Sequence, residues 1–144
     1  MAKTIFVNLP VADVAASTAF YTAIGMKKDD RFSNESASAM VWSDTISFML
    51  LSHDFYGTFT SKTIADEHGS SEVMLCLSQD DRGAVDAITE AALAAGGREP
   101  RPVQDEGFMY GRAFEDLDGH IFEPMFMDIE AAMAVFRQSA QAPA

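Results

Sequence analysis

The chain has 144 residues, 48% of them hydrophobic and 22% charged, which is enough for one domain with a real core or two small modules sharing one. Ten Lys and Arg against 22 Asp and Glu give a net charge of −12, which argues against nucleic acid or an anionic membrane as a partner and leaves room for a cationic ligand. Cys76 is the sole cysteine, so neither an internal disulfide nor a Cys-pair metal site can form.

Thr4 to Leu9 is β-rich, with Ile5, Val7 and Leu9 on one face, Phe6 and Asn8 on the other, and Pro10 expected to end the strand. Asp13 is a good N-cap for a helix over 14–24, and Gly25 closes it. Three β-like runs follow, at 26–32, 37–42 and 46–51. From Ser52 to Ser70 the periodicity lapses around Phe55, Tyr56 and Phe59. This stretch reads as a crossover connection anchored by its aromatics, with a lid over a pocket as the alternative.

The pattern restarts at Glu72 with a strand to Ser78, whose Val73, Leu75 and Leu77 share a face. Asp80 or Asp81 caps a helix that ends at Gly96-Gly97. Runs at 98–103, 108–114 and 121–127 complete a second βαβββ unit, so the chain is an internal repeat. The implied division is a first module over 3–52, a connection over 53–70 and a second module over 71–128. Residues 129–144 form an amphipathic helix and a frayed tail. The absence of a signal-peptide pattern at Met1 to Ile5 makes the cytoplasm the expected location.

Within the last hairpin, a turn over Asp116 to Gly119 would face Glu115 with His120, Arg112 with Glu123, and Tyr110 with Met125. Arg112 would then neutralise Glu123. An unpaired Glu123 in an apolar pocket would instead have a raised pKa and suit a general base, with Arg112 orienting an anion and Tyr110 donating a hydrogen bond. The faces left uncovered by each module's own helix carry Phe6, Asn8, Met49, Met74, Cys76, Met125 and Met127. If the two sheets cup around a shared concavity, these residues line a small-molecule site; otherwise they close into core or meet across a dimer.

Two stretches carry a family resemblance. The first is Leu9-Pro10-Val11-Ala12-Asp13-Val14 through Ser17, Phe20-Tyr21 and Gly25; the second is Phe114 through Glu123 with its Asp-Leu-Asp-Gly-His turn. Together with the duplicated βαβββ order they resemble the vicinal-oxygen-chelate superfamily of glyoxalases, bleomycin-resistance proteins and extradiol dioxygenases. The chain is most similar to the branch named for lactoylglutathione lyase. The resemblance implies an α+β fold of two cupped mixed sheets and, in bleomycin-resistance relatives, a homodimer with sites between subunits. It also implies four metal-ligand positions, which fall at Phe6, at Met49 or Leu50, at Glu72 and at Glu123. Only Glu72 and Glu123 could ligate, so no cofactor is expected beyond a weakly held divalent ion. His53, His68 and His120 read as surface residues. Three functions follow: a metal-free binding protein, a glyoxalase-like lyase or isomerase with Glu123 moving a proton, or a metal-free enzyme built on Glu123, Arg112 and Tyr110.

Overall fold

Alternation divides each first strand into two faces. Val7, Leu9 and Val11 share the inner face of β1 (Ile5–Val11), and Leu75 and Leu77 share that of β5 (Met74–Ser78). In the computed structural model, which describes residues 2–141, these faces meet two helices, α1 (Val14–Ala23) and α3 (Arg82–Ala94). Asp13 and Asp81 cap them by accepting from the backbone N–H of Ala16 and Ala84 at 2.9 and 2.7 Å.

The first sheet has the order β1-β4-β3-β2, with β2 at Lys27–Lys28, β3 at Ala37–Ser43 and β4 at Ile46–Ser52. The second has the order β5-β9-β7-β6, with β6 at Gln104–Asp105, β7 at Met109–Gly111 and β9 at Ile121–Met127; β8 (Phe114–Glu115) also pairs β9. The β1–β4 and β5–β9 pairs are parallel and the remaining pairs antiparallel, so both sheets are mixed. A short α2 (His53–Tyr56) opens the connection, and α4 (Ile129–Gln141) follows the second sheet. The expected frayed tail is therefore helical as far as Gln141; residues 142–144 lie outside the described residues.

Several boundaries differ from expectation for local reasons. Pro10 does not end β1, which runs on through Val11. Its carbonyl points away from β4 and accepts from His120 Nε2 at 2.8 Å, so the missing N–H falls on the open edge where no ladder bond is lost. The run at 26–32 yields only two strand residues, because Asp29 caps a 3-10 turn over Asp30–Phe32. The run at 98–103 gives one bridge, Arg98 to Glu115, and the strand proper starts at Gln104. Val73 stands exposed ahead of β5 rather than on its inner face.

The inner faces of the two sheets meet each other. Phe48 of β4 lies 5.5 Å from Phe122 of β9, and Tyr21 and Phe20 of α1 contact Phe122 and Phe114 at 5.7 and 6.2 Å. One core therefore runs through Leu9, Phe20, Tyr21, Met40, Phe48, Leu50, Ile88, Phe114 and Phe122. The two sheets therefore share no concavity within one chain, among the described residues. Within one chain the sheets stand back to back, and their other faces point outward on opposite sides.

Candidate functional site

The Asp-Leu-Asp-Gly-His turn is the most densely bonded part of the molecule, and what it does is join the modules. Asp116 is buried; Oδ1 accepts from the backbone N–H of Asp118 and His120 at 3.0 and 2.8 Å, and Oδ2 accepts from the Tyr21 hydroxyl at 2.5 Å. Asp118 accepts from Ala12 N–H at 2.8 Å and from Ser17 Oγ at 3.4 Å. His120 is buried rather than on the surface, and because a carbonyl only accepts, its Nε2 carries the proton donated to Pro10. Burial pushes the Asp116 carboxyl above its ordinary value, only partly opposed by the His120 charge and the Tyr21 hydroxyl. Burial, reinforced by the Asp116 charge, holds the Tyr21 phenol well above its own. His53, His68 and His120 do line one cavity of about 230 Å³ with Asp66, Glu67 and Asp118. Even so, no three His, Cys, Asp or Glu side chains among the described residues converge as metal ligands would.

The hairpin register is one residue away from the expected one. Phe114 faces Phe122, Tyr110 faces Phe126 and Gly111 faces Met125, so Arg112 lies opposite Pro124 instead of Glu123. The turn closes over five residues, Asp116 N–H to His120 carbonyl, and one slipped residue moves every side chain to the other face. Arg112 and Tyr110 consequently point at α3. The buried guanidinium binds Glu99, Glu90 and Asp86 at 2.9, 2.8 and 3.2 Å, and the Tyr110 hydroxyl donates to Asp86 at 2.7 Å. The Glu99 bond leads in raising the Arg112 pKa, and the Asp86 bond leads for Tyr110. These two residues clamp a helix to its sheet.

Glu123 does sit on the outer face of the second sheet, and its partner is Arg101, at 2.6 Å. Beside it stand Cys76, its neighbour across β5–β9, and Gln104, Met109, Met125 and Met127, around a shallow cavity of about 190 Å³. Burial and the nearby Glu123 charge raise the Cys76 thiol, against a smaller lowering by Arg101, so the thiol is a poor nucleophile. Met74 shares this face, one pair further along at Ile121. Glu72 does not: it is exposed two residues before β5 begins. Leu50 is buried in the core, which leaves Met49 as the outward residue of β4. The residues at the family's ligand positions thus do not fit a metal ion. Phe6 and Met49 offer no oxygen or imidazole, Glu72 stands off this face ahead of β5, and Glu123 is already paired with Arg101.

The outer face of the first sheet carries the larger concavity, a groove of about 640 Å³. Its floor is Phe6, Ala39, Val41, Ser47 and Met49, in register across β1, β4 and β3, and Phe32 forms a wall. Asn8 lies opposite Met49 on the same face. Arg31 neutralises Asp29 at the rim with a 2.8 Å contact, leaving Asp44 as the other acid there. The expected ligand-binding set is therefore divided: Phe6, Asn8 and Met49 lie on one sheet, and Met74, Met125 and Glu123 on the other. Sequence reasoning missed Arg101, which sits in a proline-flanked loop without periodicity. It also missed Phe32, although a lone aromatic inside Asp-Asp-Arg-Phe-Ser-Asn was a usable signal.

The comparisons agree with this architecture. Residues 3–31 match the family model described as "Bleomycin resistance protein-like N-terminal". The fold is that of the vicinal-oxygen-chelate superfamily. Hypothetical protein SA1046 from S. aureus is 25% identical, with a TM-score of 0.74 over 88% of this chain and 94% of its own. A glyoxylase/bleomycin resistance protein/dioxygenase domain from Frankia sp. EAN1pec is 27% identical, with a TM-score of 0.66 over 88% of this chain and 93% of its own. A glyoxalase/bleomycin resistance protein/dioxygenase family enzyme from Burkholderia phytofirmans PsJN reaches a TM-score of 0.73 at 19% identity, over 88% of this chain and 99% of its own. No curated protein matches in sequence.

Proposed function

We propose that this vicinal-oxygen-chelate protein binds a small, largely apolar or planar organic molecule in the groove of its first sheet, without a complete metal site. The observation that carries the reading is the pair Phe6 and Phe32, 63% and 64% exposed and lining one groove. Two large apolar side chains left in water on a single concave surface are what a ligand site looks like before it is filled.

A second copy would close the site. Both outward faces are apolar, and β1 and β5 are open sheet edges with unpaired backbone groups. Charge favours pairing the first sheet of one copy with the second sheet of the other: residues 1–52 carry four Lys or Arg against five Asp or Glu, whereas residues 71–128 carry four against thirteen. Joining unlike halves avoids opposing two strongly acidic surfaces, and the result is a homodimer with two equivalent sites. A cytoplasmic location belongs to the same reading. It is supported by the single cysteine, and no helix among the described residues is long and apolar enough to cross a membrane.

Lyase chemistry finds less support. Glu123 is engaged by Arg101, and Arg112 and Tyr110, its intended helpers, face α3. A thermal-shift screen of planar cations, neutral aromatics and glutathione adducts tests the binding reading, with Phe6→Ser as the control. Compounds that stabilise the wild type and not the variant support it. Stabilisation that survives the substitution moves the site elsewhere.

A further inference from the structure

Helix α4 exposes the side chains that a helix normally hides. Ile129, Met133 and Phe136 fall on one face, yet they are 63%, 53% and 64% exposed. Asp128 caps the helix by accepting from Ala131 N–H at 3.1 Å. Among its described side chains only Ala132 is buried, while the Phe136 ring meets Phe108 edge-on at 6.1 Å. Thirteen residues make a marginal helix in water unless an apolar face is packed. The stripe has no partner among the described residues of its own chain beyond the Phe108 contact.

Charge and topology select the cover. Residues 129–144 carry one Glu and one Arg, so the helix is as near to neutral as the first module and unlike the acidic second one. The groove it would meet is rimmed by the self-neutralised Arg31 and Asp29 pair. β5 and β9 run parallel, so α4 leaves the second sheet at the end where β5 finishes. If the open edges of β1 and a partner's β5 meet antiparallel, that end lies beside the beginning of β1, where Phe6 stands and where β4 starts after Ser43 and Asp44. The helix's own first sheet is out of reach, because it faces away on the far side of the shared core.

Resting on the paired-copy reading above, we propose that α4 of each copy seats Ile129, Met133 and Phe136 against the Phe6 and Phe32 mouth of its partner's groove. The partner subunit then supplies one apolar wall of the ligand site. Ligands are selected for apolar bulk at that end.

The test uses two differently tagged full-length proteins in a Cys76→Ser background, one carrying Phe32→Cys and the other Met133→Cys. Mixing and air oxidation should give a cross-linked heterodimer in excess of either homodimer, released by dithiothreitol. Phe136→Glu should weaken self-association about tenfold by sedimentation, with the melting temperature of the dissociated chain unchanged, since that side chain is solvent-exposed in a lone copy. A dimer that gives no 32–133 cross-link and is indifferent to Phe136→Glu overturns the placement of α4 while leaving the paired-copy reading intact. A wild type that is monomeric at about 100 µM overturns both.

Discussion

The junction between the modules and the outward faces of the sheets are built on opposite rules. At the junction every donor and acceptor of the Asp-Leu-Asp-Gly-His turn described above is met, much of it by α1 and β1 of the other module. On the outward faces Phe6, Phe32 and Met74 stand uncovered. The most recognisable sequence signature is thus structural mortar, and the uncovered positions of the outward faces are Phe and Met. Resemblance through the signature carries the fold and leaves the chemistry to be read from the faces.

Gly119→Ala should do the most damage. Its φ of +89° is a region L residues avoid, and an added Cβ would lie 2.7 Å from the Glu67 carbonyl oxygen, a backbone atom that cannot swing aside. A loss of about 3 kcal/mol is expected in urea unfolding. Gly25→Ala is the control: φ is +103° but nothing lies within 4 Å, so strain alone should cost about 1 kcal/mol. Equal losses would mean that the junction is not tightly packed.

Tyr21→Phe comes next, at about 2 kcal/mol, because it leaves a buried Asp116 oxygen without its hydroxyl donor. The phenol also fixes a pH dependence. Its folded pKa is raised well above 10.0, so the folded chain keeps a proton that the unfolded chain releases. The associated stability is complete below the ordinary tyrosine value and is lost as pH climbs above it. Tyr21→Phe should flatten that alkaline limb of a stability–pH profile; a limb of unchanged slope would exclude Tyr21 as its source.

On the outward face the ordering reverses, with little effect on stability and a large one on binding. Phe6→Ser should move the unfolding free energy of the dissociated chain by no more than about 0.5 kcal/mol, since in a lone copy the ring is already mostly in water. The same substitution should weaken binding of an apolar dye such as anilinonaphthalene sulfonate by about tenfold. A large loss of stability would instead place Phe6 among the structural residues.

Much of this contrast was legible beforehand. The repeated βαβββ order, the Asp13 and Asp81 caps and the bounds of β9 follow from alternation, helix-capping chemistry and turn residues, all of which act within a few positions. The register of the last hairpin was not legible. Asp and Gly suggest a four-residue turn, but His120 is drawn into the closure while its ring is tied to Pro10 in the other module, a bond spanning 110 positions. The back-to-back stacking was equally hidden. Alternation separates the two faces of a strand, yet with Phe and Met on both it does not say which face turns inward, and that is settled by Phe48 meeting Phe122. The division of the expected site residues between two faces and a helix clamp follows from these two facts.

A small effect is also expected at Arg101 and Glu123, whose side chains are 36% and 22% exposed, so the ion pair should contribute no more than about 1 kcal/mol. Cys76 makes the pair measurable without relying on stability, because its thiol is raised by burial and by Glu123 and lowered by Arg101. Glu123→Gln removes a raising charge, so the pH at which iodoacetamide alkylates Cys76 should fall. Arg101→Gln removes the lowering one, so that pH should climb. The two shifts have opposite signs, which separates a local electrostatic effect from general loosening, since loosening would shift alkylation of the already exposed Cys76 in the same direction in both variants. A common acceleration would show that the 2.6 Å contact does not govern this face in solution.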